Sequence, residues 1–492
     1  MGNRMRFFAL LFVGLAAAVF SGCSGTGSVS DPAPDPAPNP TPSTGLGEWT
    51  WVGGANTVNQ AGSYGTQDTA APGDIPGARA GAVSWTDASG ALWLFGGAGP
   101  TVGGGCNLYD PLCWAGTNAY FNDLWKYSGG EWTWVSGSNT TDQSGKYGTQ
   151  GVAAAGNVPG ARYGGTSWRD ANGNFWFFGG AGYDSAGNDG YLNDLWKYSG
   201  GQWTWMGGSN VVNQMGLYGT QGTAAPNNIP GARSGAISVT DASGNLWLFG
   251  GIGCAGFCGA YLDDLWEYSG GQWRWVSGSN SGSQTGIYGT QGSAAPGNLP
   301  GGRVNASGWM DSSGNLWVFG GVGWGGWNGN VVELNDLWKF SGGEWTWVTG
   351  SNALTDEIGV VDVHGTYGVQ GTAAPGNTPG LRDSAVSWTD VGGNLWLFGG
   401  EGFGASGAQG GDLNDLWKFN GSQWTWVSGS DAGGQAGTYG TLGTRGAGNV
   451  PGGRIDAVSW VGTDGNLWLF GGIGLGSTGT SGDLNDLWEY TP

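Results

Sequence analysis

One unit is written into this chain six times, and that repetition decides what the chain can fold into. The clearest copy runs from Pro379 to Val427: PGLRDSAVSW, a TD turn, VGGNLWLFGG, a loop, LNDLWKF and, after NGS, QWTWV. Its four short runs are rich in Trp, Val, Leu and Phe and are bounded by Gly, Asn, Ser and Asp. Aromatic and β-branched runs of this length between turn residues predict strands joined by hairpins. The second and third runs, NLWLF and DLWKF, are almost continuous in apolar residues, so both of their faces are expected to be covered. A single unit cannot cover two faces and must stack on its copies.

The copies are marked by four landmarks. FGG begins at Phe95, Phe178, Phe249, Phe319, Phe398 and Phe470, and DLW at Asp123, Asp194, Asp264, Asp336, Asp415 and Asp486. WTW (once WRW) begins at Trp49, Trp132, Trp203, Trp273, Trp345 and Trp424. The PGxR landmark ends at Arg79, Arg162, Arg233, Arg303, Arg382 and Arg454. With its Gly-Gly after the second strand and its spaced aromatic landmarks, the unit resembles a kelch repeat over residues 48–492. It is longer than the roughly 50 residues usual for kelch, and the excess falls in loops.

The resemblance implies an all-β fold, a six-bladed kelch-type β-propeller of four-stranded blades. The chain enters at GEWTWV (residues 47–52), a fourth strand without its first three. It leaves at NDLWEYTP, a third strand without its fourth. Pairing the two closes the ring with an N-terminal strand that completes the last blade, and it leaves no exposed edge.

Length alone would suggest two or three domains, but the repeat makes residues 48–492 one. Gly is abundant, 108 of 492, yet it alternates with 32 Trp and so marks turns. The formal charge of −20, from 16 Lys and Arg against 36 Asp and Glu, argues against nucleic acid as a partner.

Residues 1–22 read as a lipoprotein signal peptide. Arg4 and Arg6 precede an apolar run, Phe7–Phe20, that is too short to span a bilayer as a helix. The run ends in Ser21-Gly22-Cys23, which resembles a bacterial lipobox with Phe20 in the place of the usual Leu. That resemblance implies cleavage before Cys23 and lipidation of its thiol. Residues 23–47 then form a lipidated Cys and Pro-rich tether, extended at about 3.1 Å per residue where it is stiff. The expected location is outside the cytoplasm, membrane-anchored through the lipid alone, at the outer membrane or cell surface.

Because successive strands alternate in direction, the connections from strand two to three and from four to one emerge on one face. Turns such as Asp241-Ala-Ser-Gly-Asn245 lie on the other. One carboxylate per turn is too few for a hard cation, so these are read as hairpin turns. The four-to-one loops share one length in five of six cases and repeat their content. They are read as structural, anchored by Tyr64, Tyr147, Tyr218, Tyr288, Tyr367 and Tyr439.

Residues that break the repeat are the candidates for function. Among the Trp these are Trp114, Trp324 and Trp327, all in two-to-three loops. An exposed indole suits a sugar ring or a protein hot spot, and packing of a Gly-rich loop is the plainer role. Cys106 with Cys113, and Cys254 with Cys258, are expected to form local disulfides in an oxidising compartment.

The fifth unit departs furthest. Its longer incoming loop carries Asp356, Glu357, Asp362 and His364, the only His. Asp383 follows the repeat Arg, Glu401 follows FGG, and Asp456 intrudes in the sixth unit. Near the channel mouth such carboxylates could bind a cation or do acid–base work; solvated residues paired with the repeat Arg are the plainer alternative. The six repeat Arg could themselves hold an anion, or each could pair with the Asp of a DLW run.

Three function classes follow: a binding or scaffold module for a protein partner, a carbohydrate-binding propeller, or an enzyme. The kelch resemblance extends to a copper-radical galactose oxidase, whose chemistry needs two His ligands; one His excludes it. It also extends to sialic-acid mutarotases, which need only acid–base groups. No nucleophile–base pair, CxxC or phosphate loop is present, so no catalytic residue, cofactor or metal is expected. The expectation is a monomeric envelope lipoprotein that binds a protein or glycan through its loop-rich face.

Overall fold

The structure, a computed structural model, describes residues 47–100, 118–325, 331–352, 364–406 and 410–492. The chain divides into two units, Met1–Pro42 and Ser43–Pro492, and all described residues belong to the second. Cys23, the tether, Cys106, Cys113, Trp114, Trp327, Asp356, Glu357 and Asp362 lie outside the described residues.

Among the described residues every regular element is a strand, and every pairing is antiparallel. The second repeat shows the pattern. Thr166–Arg169, Phe175–Tyr183, Asp189–Ser199 and Gln202–Gly207 pair in sequence order. Phe175 to Phe178 are buried at every position, so both faces are covered, as the apolar run requires. The Asp241 turn is a hairpin. Its Oδ1 accepts the backbone N–H of Ser243 and Asn245 at 2.9 and 3.0 Å, and Gly244 takes φ +81°. Burial pushes the Asp241 carboxyl up, but hydrogen bonds from Asn245, Trp247 and Ser243 outweigh it and hold it below its ordinary value.

Neighbouring units are joined through the Gly-Gly landmark. Gly96 has φ +70°, and a Cβ there would lie 2.8 Å from the Arg162 carbonyl of the next unit. Gly97 donates its N–H to that same carbonyl at 2.9 Å. Only glycine permits both the approach and the φ. The sixth unit treats the first in the same way, Gly472 donating to the Arg79 carbonyl at 2.9 Å.

Two residues beyond each Arg, the chain turns left-handed and bonds to the preceding unit. Gly164 donates to Gly81, Gly235 to Gly164, Asn305 to Gly235, Ser384 to Asn305 and Asp456 to Ser384; Gly81 donates to Asp456. The six backbone bonds, 2.8 to 3.0 Å long, return to their starting point. Trp203, 1% exposed, packs its ring 5.2 Å from Phe95 of the unit before, so the seams between units are also the apolar core.

The sixth sheet is completed by the start of the chain. Glu48–Gly53 pairs with Ser481–Thr491, Trp49 opposite Tyr490 and Thr50 opposite Glu489. The outer edges are covered by the four-to-one loops. Ala154 bridges to Trp203, Ala295 to Trp345 and Ala374 to Trp424, while Arg445–Gly446 pairs with Glu48–Gly53. Asn157 Nδ2 ties one such loop down, donating to the Val152 and Trp203 carbonyls at 3.0 and 3.2 Å.

Candidate functional site

The six repeat Arg are structural, which corrects their place among the candidate ligand-binding residues. Arg162 is 1% exposed and Asp194 is fully buried. Arg162 Nη1 and Nη2 donate to the two Asp194 oxygens at 2.5 and 2.8 Å, and Nε donates to the Gly160 carbonyl at 2.8 Å. The Tyr147 hydroxyl and Trp196 indole also donate to Asp194 Oδ2, at 2.6 and 2.8 Å. Burial, then the Asp194 charge, push the Tyr147 hydroxyl well above its ordinary value, so it stays a donor.

The same bidentate pair is made by Arg79 with Asp123, Arg233 with Asp264, Arg303 with Asp336, Arg382 with Asp415 and Arg454 with Asp486. Each of the six repeat guanidinium groups is committed to the Asp of its own unit. The loop Tyr are anchors, as their repetition predicts.

Just beyond the Arg, three strands of each unit place one residue side by side on the same face. Reading round the mouth, the rows are Ala80–Ala98–Tyr120, Tyr163–Ala181–Tyr191 and Ser234–Ile252–Tyr261 in the first three units. They are Val304–Val322–Glu333, Asp383–Glu401–Asp412 and Ile455–Ile473–Asp483 in the last three. One half of the mouth is therefore an arc of tyrosines and the other an arc of carboxylates. Tyr120 and Tyr163 lie with ring centroids 5.2 Å apart.

Glu333, Asp383, Asp412, Asp456 and Asp483 are all raised above the ordinary carboxylate value. Burial, opposed by the Ser384 hydroxyl at 2.7 Å and reinforced by Asp456, Glu401 and Glu333, pushes Asp383 up to about 7. Burial and Glu401 push Glu333 and Asp412 to about 7 as well. Asp456 rises to about 6 through burial, opposed by Ser384 and reinforced by Glu401. Asp483 rises to about 7 through burial, opposed by its own N–H.

Each of these folded values lies above the unfolded carboxylate value near 4. Their contribution to stability is thus full below about pH 4 and is lost as pH rises through about 6 to 7. The two arcs sense each other: after burial, Asp383 is the cause that raises Tyr261, and Asp456 contributes to raising Tyr163 to about 12.

The structure brings Asp383, Glu401 and Asp456 together, as the sequence suggested, but not with the Arg, which are spent elsewhere. Among the described residues none of the three has an ion-pair partner. Trp324 is half-buried at the end of Leu316–Trp324, with its indole nitrogen buried, closer to the packing alternative than to an exposed indole. Cys254 and Cys258 form a disulfide across a hairpin of the third unit. Glu333, Asp412, Asp483 and the tyrosine arc were not singled out in the sequence.

A central cavity of about 440 Å³ is lined by inner-strand residues such as Ser84, Thr86, Ser238, Ser387 and Ser459. No titratable group lines it, so it offers no acid–base chemistry. Among the described residues no group of three or more His, Cys, Asp or Glu is placed to hold a metal ion.

No protein-family model matches the chain, and no curated protein does. Solved structures that align with it include YjhT, at 15% identity and TM-score 0.46 over 84% of this chain and 95% of that one. A fungal alcohol oxidase of the AA5 family in complex with copper aligns at 13% identity and TM-score 0.42, over 88% of this chain and 77% of that one. A protein of unknown function from Dyadobacter fermentans aligns at 9% identity and TM-score 0.42, over 90% and 97%. At these identities and scores the likenesses carry no functional meaning for this chain.

Proposed function

We propose that residues 48–492 are a six-bladed kelch-type propeller, closed by Glu48–Gly53, that binds a partner at the mouth of its loop-rich face. The closed ring of backbone bonds and the Trp49 to Tyr490 pairing support the architecture. Cys23 carries the lipid, the Pro-rich segment is the tether, and the propeller is displayed at the cell envelope; the lipobox resemblance supports this part. The partner is a protein that presents basic side chains.

The observation that carries the binding role is the row Asp383–Glu401–Asp412. Like charges side by side on a sheet are destabilising, and a residue that breaks a local rule without a structural gain points to function. Carboxyl groups in such a row accept hydrogen bonds from ammonium and guanidinium groups. A second reading, a carbohydrate ligand, is favoured by the paired rings of Tyr120 and Tyr163. We assign no catalytic role.

The test is an array of basic peptides and glycans probed with residues 24–492. It is run beside the variants Asp383→Asn/Glu401→Gln and Tyr120→Ala/Tyr163→Ala. Peptide binding that disappears with the first variant supports a protein partner, and glycan binding that disappears with the second supports the carbohydrate reading. Binding untouched by either variant would move the function away from the mouth.

A further inference from the structure

Among the described residues, one arginine stands without a carboxylate. The six repeat Arg pair within their units, Arg274 pairs with Glu267, and Arg445 pairs with Glu48. Arg169 makes no ion pair among the described residues, and its Nε is buried without a hydrogen-bond partner. In a chain of formal charge −20 this is not for want of acids. A buried N–H left without an acceptor is costly, and it points to a partner outside the chain.

Arg169 also breaks the repeat. It ends the inner strand Thr166–Arg169, at the position where the other units have Thr86, Thr240, Met310, Thr389 and Val461. Those five residues line the central cavity. The inner strands of the first three units lie side by side: Ser167 Oγ donates to the Ser84 carbonyl at 2.9 Å, and Ser238 Oγ donates to the Ser167 carbonyl at 3.2 Å. Two residues further along these strands, Thr86 and Thr240 flank Arg169. Arg169 pairs with Phe175 beside the one-to-two turn, whereas Tyr163 of the same unit stands in the mouth. The arginine is thus at the end of the channel away from the mouth.

The carboxylates of the adjoining turns are already occupied. Asp170 accepts the N–H of Asn172 and Asn174 and the Trp176 indole, at 2.8 to 2.9 Å. Asp87 and Asp241 accept the equivalent bonds in their own turns. Arg169 lies instead against the turn of its own unit, where a Cβ on Gly173 would be 3.1 Å from Nη2.

We propose that Arg169 anchors an oxyanion, the carboxylate or phosphate group of a small ligand, at the turn-face end of the central channel. A guanidinium offers two parallel N–H donors to such a group. Side-on binding through Nε and one Nη, with the side chain turned off Gly173, supplies the acceptor that Nε lacks. Thr86 and Thr240 add hydroxyls on either side, and the cavity of about 440 Å³ has room for the body of the ligand. For the fold alone threonine suffices at this position, as Thr86, Thr240 and Thr389 show in three other units. The site is separate from the mouth and does not depend on the binding role assigned there.

Thermal melts and titration calorimetry of the full chain, with sodium acetate and with inorganic phosphate, test this against sodium chloride at equal ionic strength. The comparison is Arg169→Thr. At least one of the two anions should bind the wild type saturably and raise its melt above that in chloride. Arg169→Thr should bind it about tenfold more weakly, the loss expected of a hydrogen bond to a charged group. Binding of acetate alone would make the ligand's group a carboxylate, and binding of phosphate alone would make it a phosphate. No saturable binding of either, or equal binding by Arg169→Thr, would overturn the proposal. Nitrogen-15 spectra of the arginine Nε–Hε groups add a readout on the wild type itself. The resonance missing from Arg169→Lys should move during the titration while those of the six repeat Arg stay in place, and a spectrum in which it does not move would overturn the site.

Discussion

Asp194→Ala is expected to destabilise the protein by about 3–5 kcal/mol, the usual cost of breaking a buried ion pair from one side. The substitution leaves Arg162 charged and unpaired at 1% exposure, and it removes the acceptor for Tyr147 and Trp196. Soluble yield should fall sharply and the thermal melt should move down. The equivalent substitution in any other unit should behave alike, because the network repeats. A change below about 1 kcal/mol would mean that the network is dispensable, against its full burial.

Deleting residues 48–52 is the second large effect. Trp49 is 1% exposed and packs 5.3 Å from Phe398 and 5.1 Å from Tyr490. Losing one such buried Trp costs about 3–5 kcal/mol by itself. The deletion also unpairs Ser481–Thr491 along its outer edge and frees Arg445–Gly446. The melting temperature should fall steeply, and the exposed edge should promote aggregation. An unchanged melt would contradict closure by the N-terminal strand.

The frame of the molecule could be read from the sequence because each structural job is done six times. The Arg of PGxR and the Asp of DLW suggested a pair, and each Arg is bonded to the Asp of its own unit. The Tyr of the four-to-one loops looked like an anchor, and its hydroxyl ends on that same Asp. The mouth was only half legible. Asp383 and Glu401 stand at fixed distances from landmarks, so their departure from the repeat is visible. Glu333, Asp412 and Asp483 follow two-to-three loops of unequal length, and only cross-strand register puts them in the same rows.

The tyrosine arc was hidden for the same reason, since Tyr120, Tyr191 and Tyr261 precede DLW and read as ordinary strand residues. Solvation or Arg pairing had seemed the plainer role for the carboxylates. The pairing fails because each repeat guanidinium is already bonded to the Asp of its own unit, while Glu401 is exposed to solvent. Asn305, Ser384 and Asp456 take φ of +55°, +54° and +50° where the first three units use glycine. The same half of the ring thus departs from the repeat in backbone as well as in charge.

The central claim is that the mouth carboxylates serve a ligand and not the fold. Its most direct test is the thermal melt of Asp383→Asn/Glu401→Gln against wild type at pH 8 and pH 4.5. Glu401 is among the charges that raise Asp383, Glu333, Asp412 and Asp456, so removing it relieves those four. The variant should melt higher than wild type at pH 8, where the arc is ionised, and close to it at pH 4.5. A variant that melts lower at pH 8 would show that these carboxylates hold the fold together, and would contradict the account.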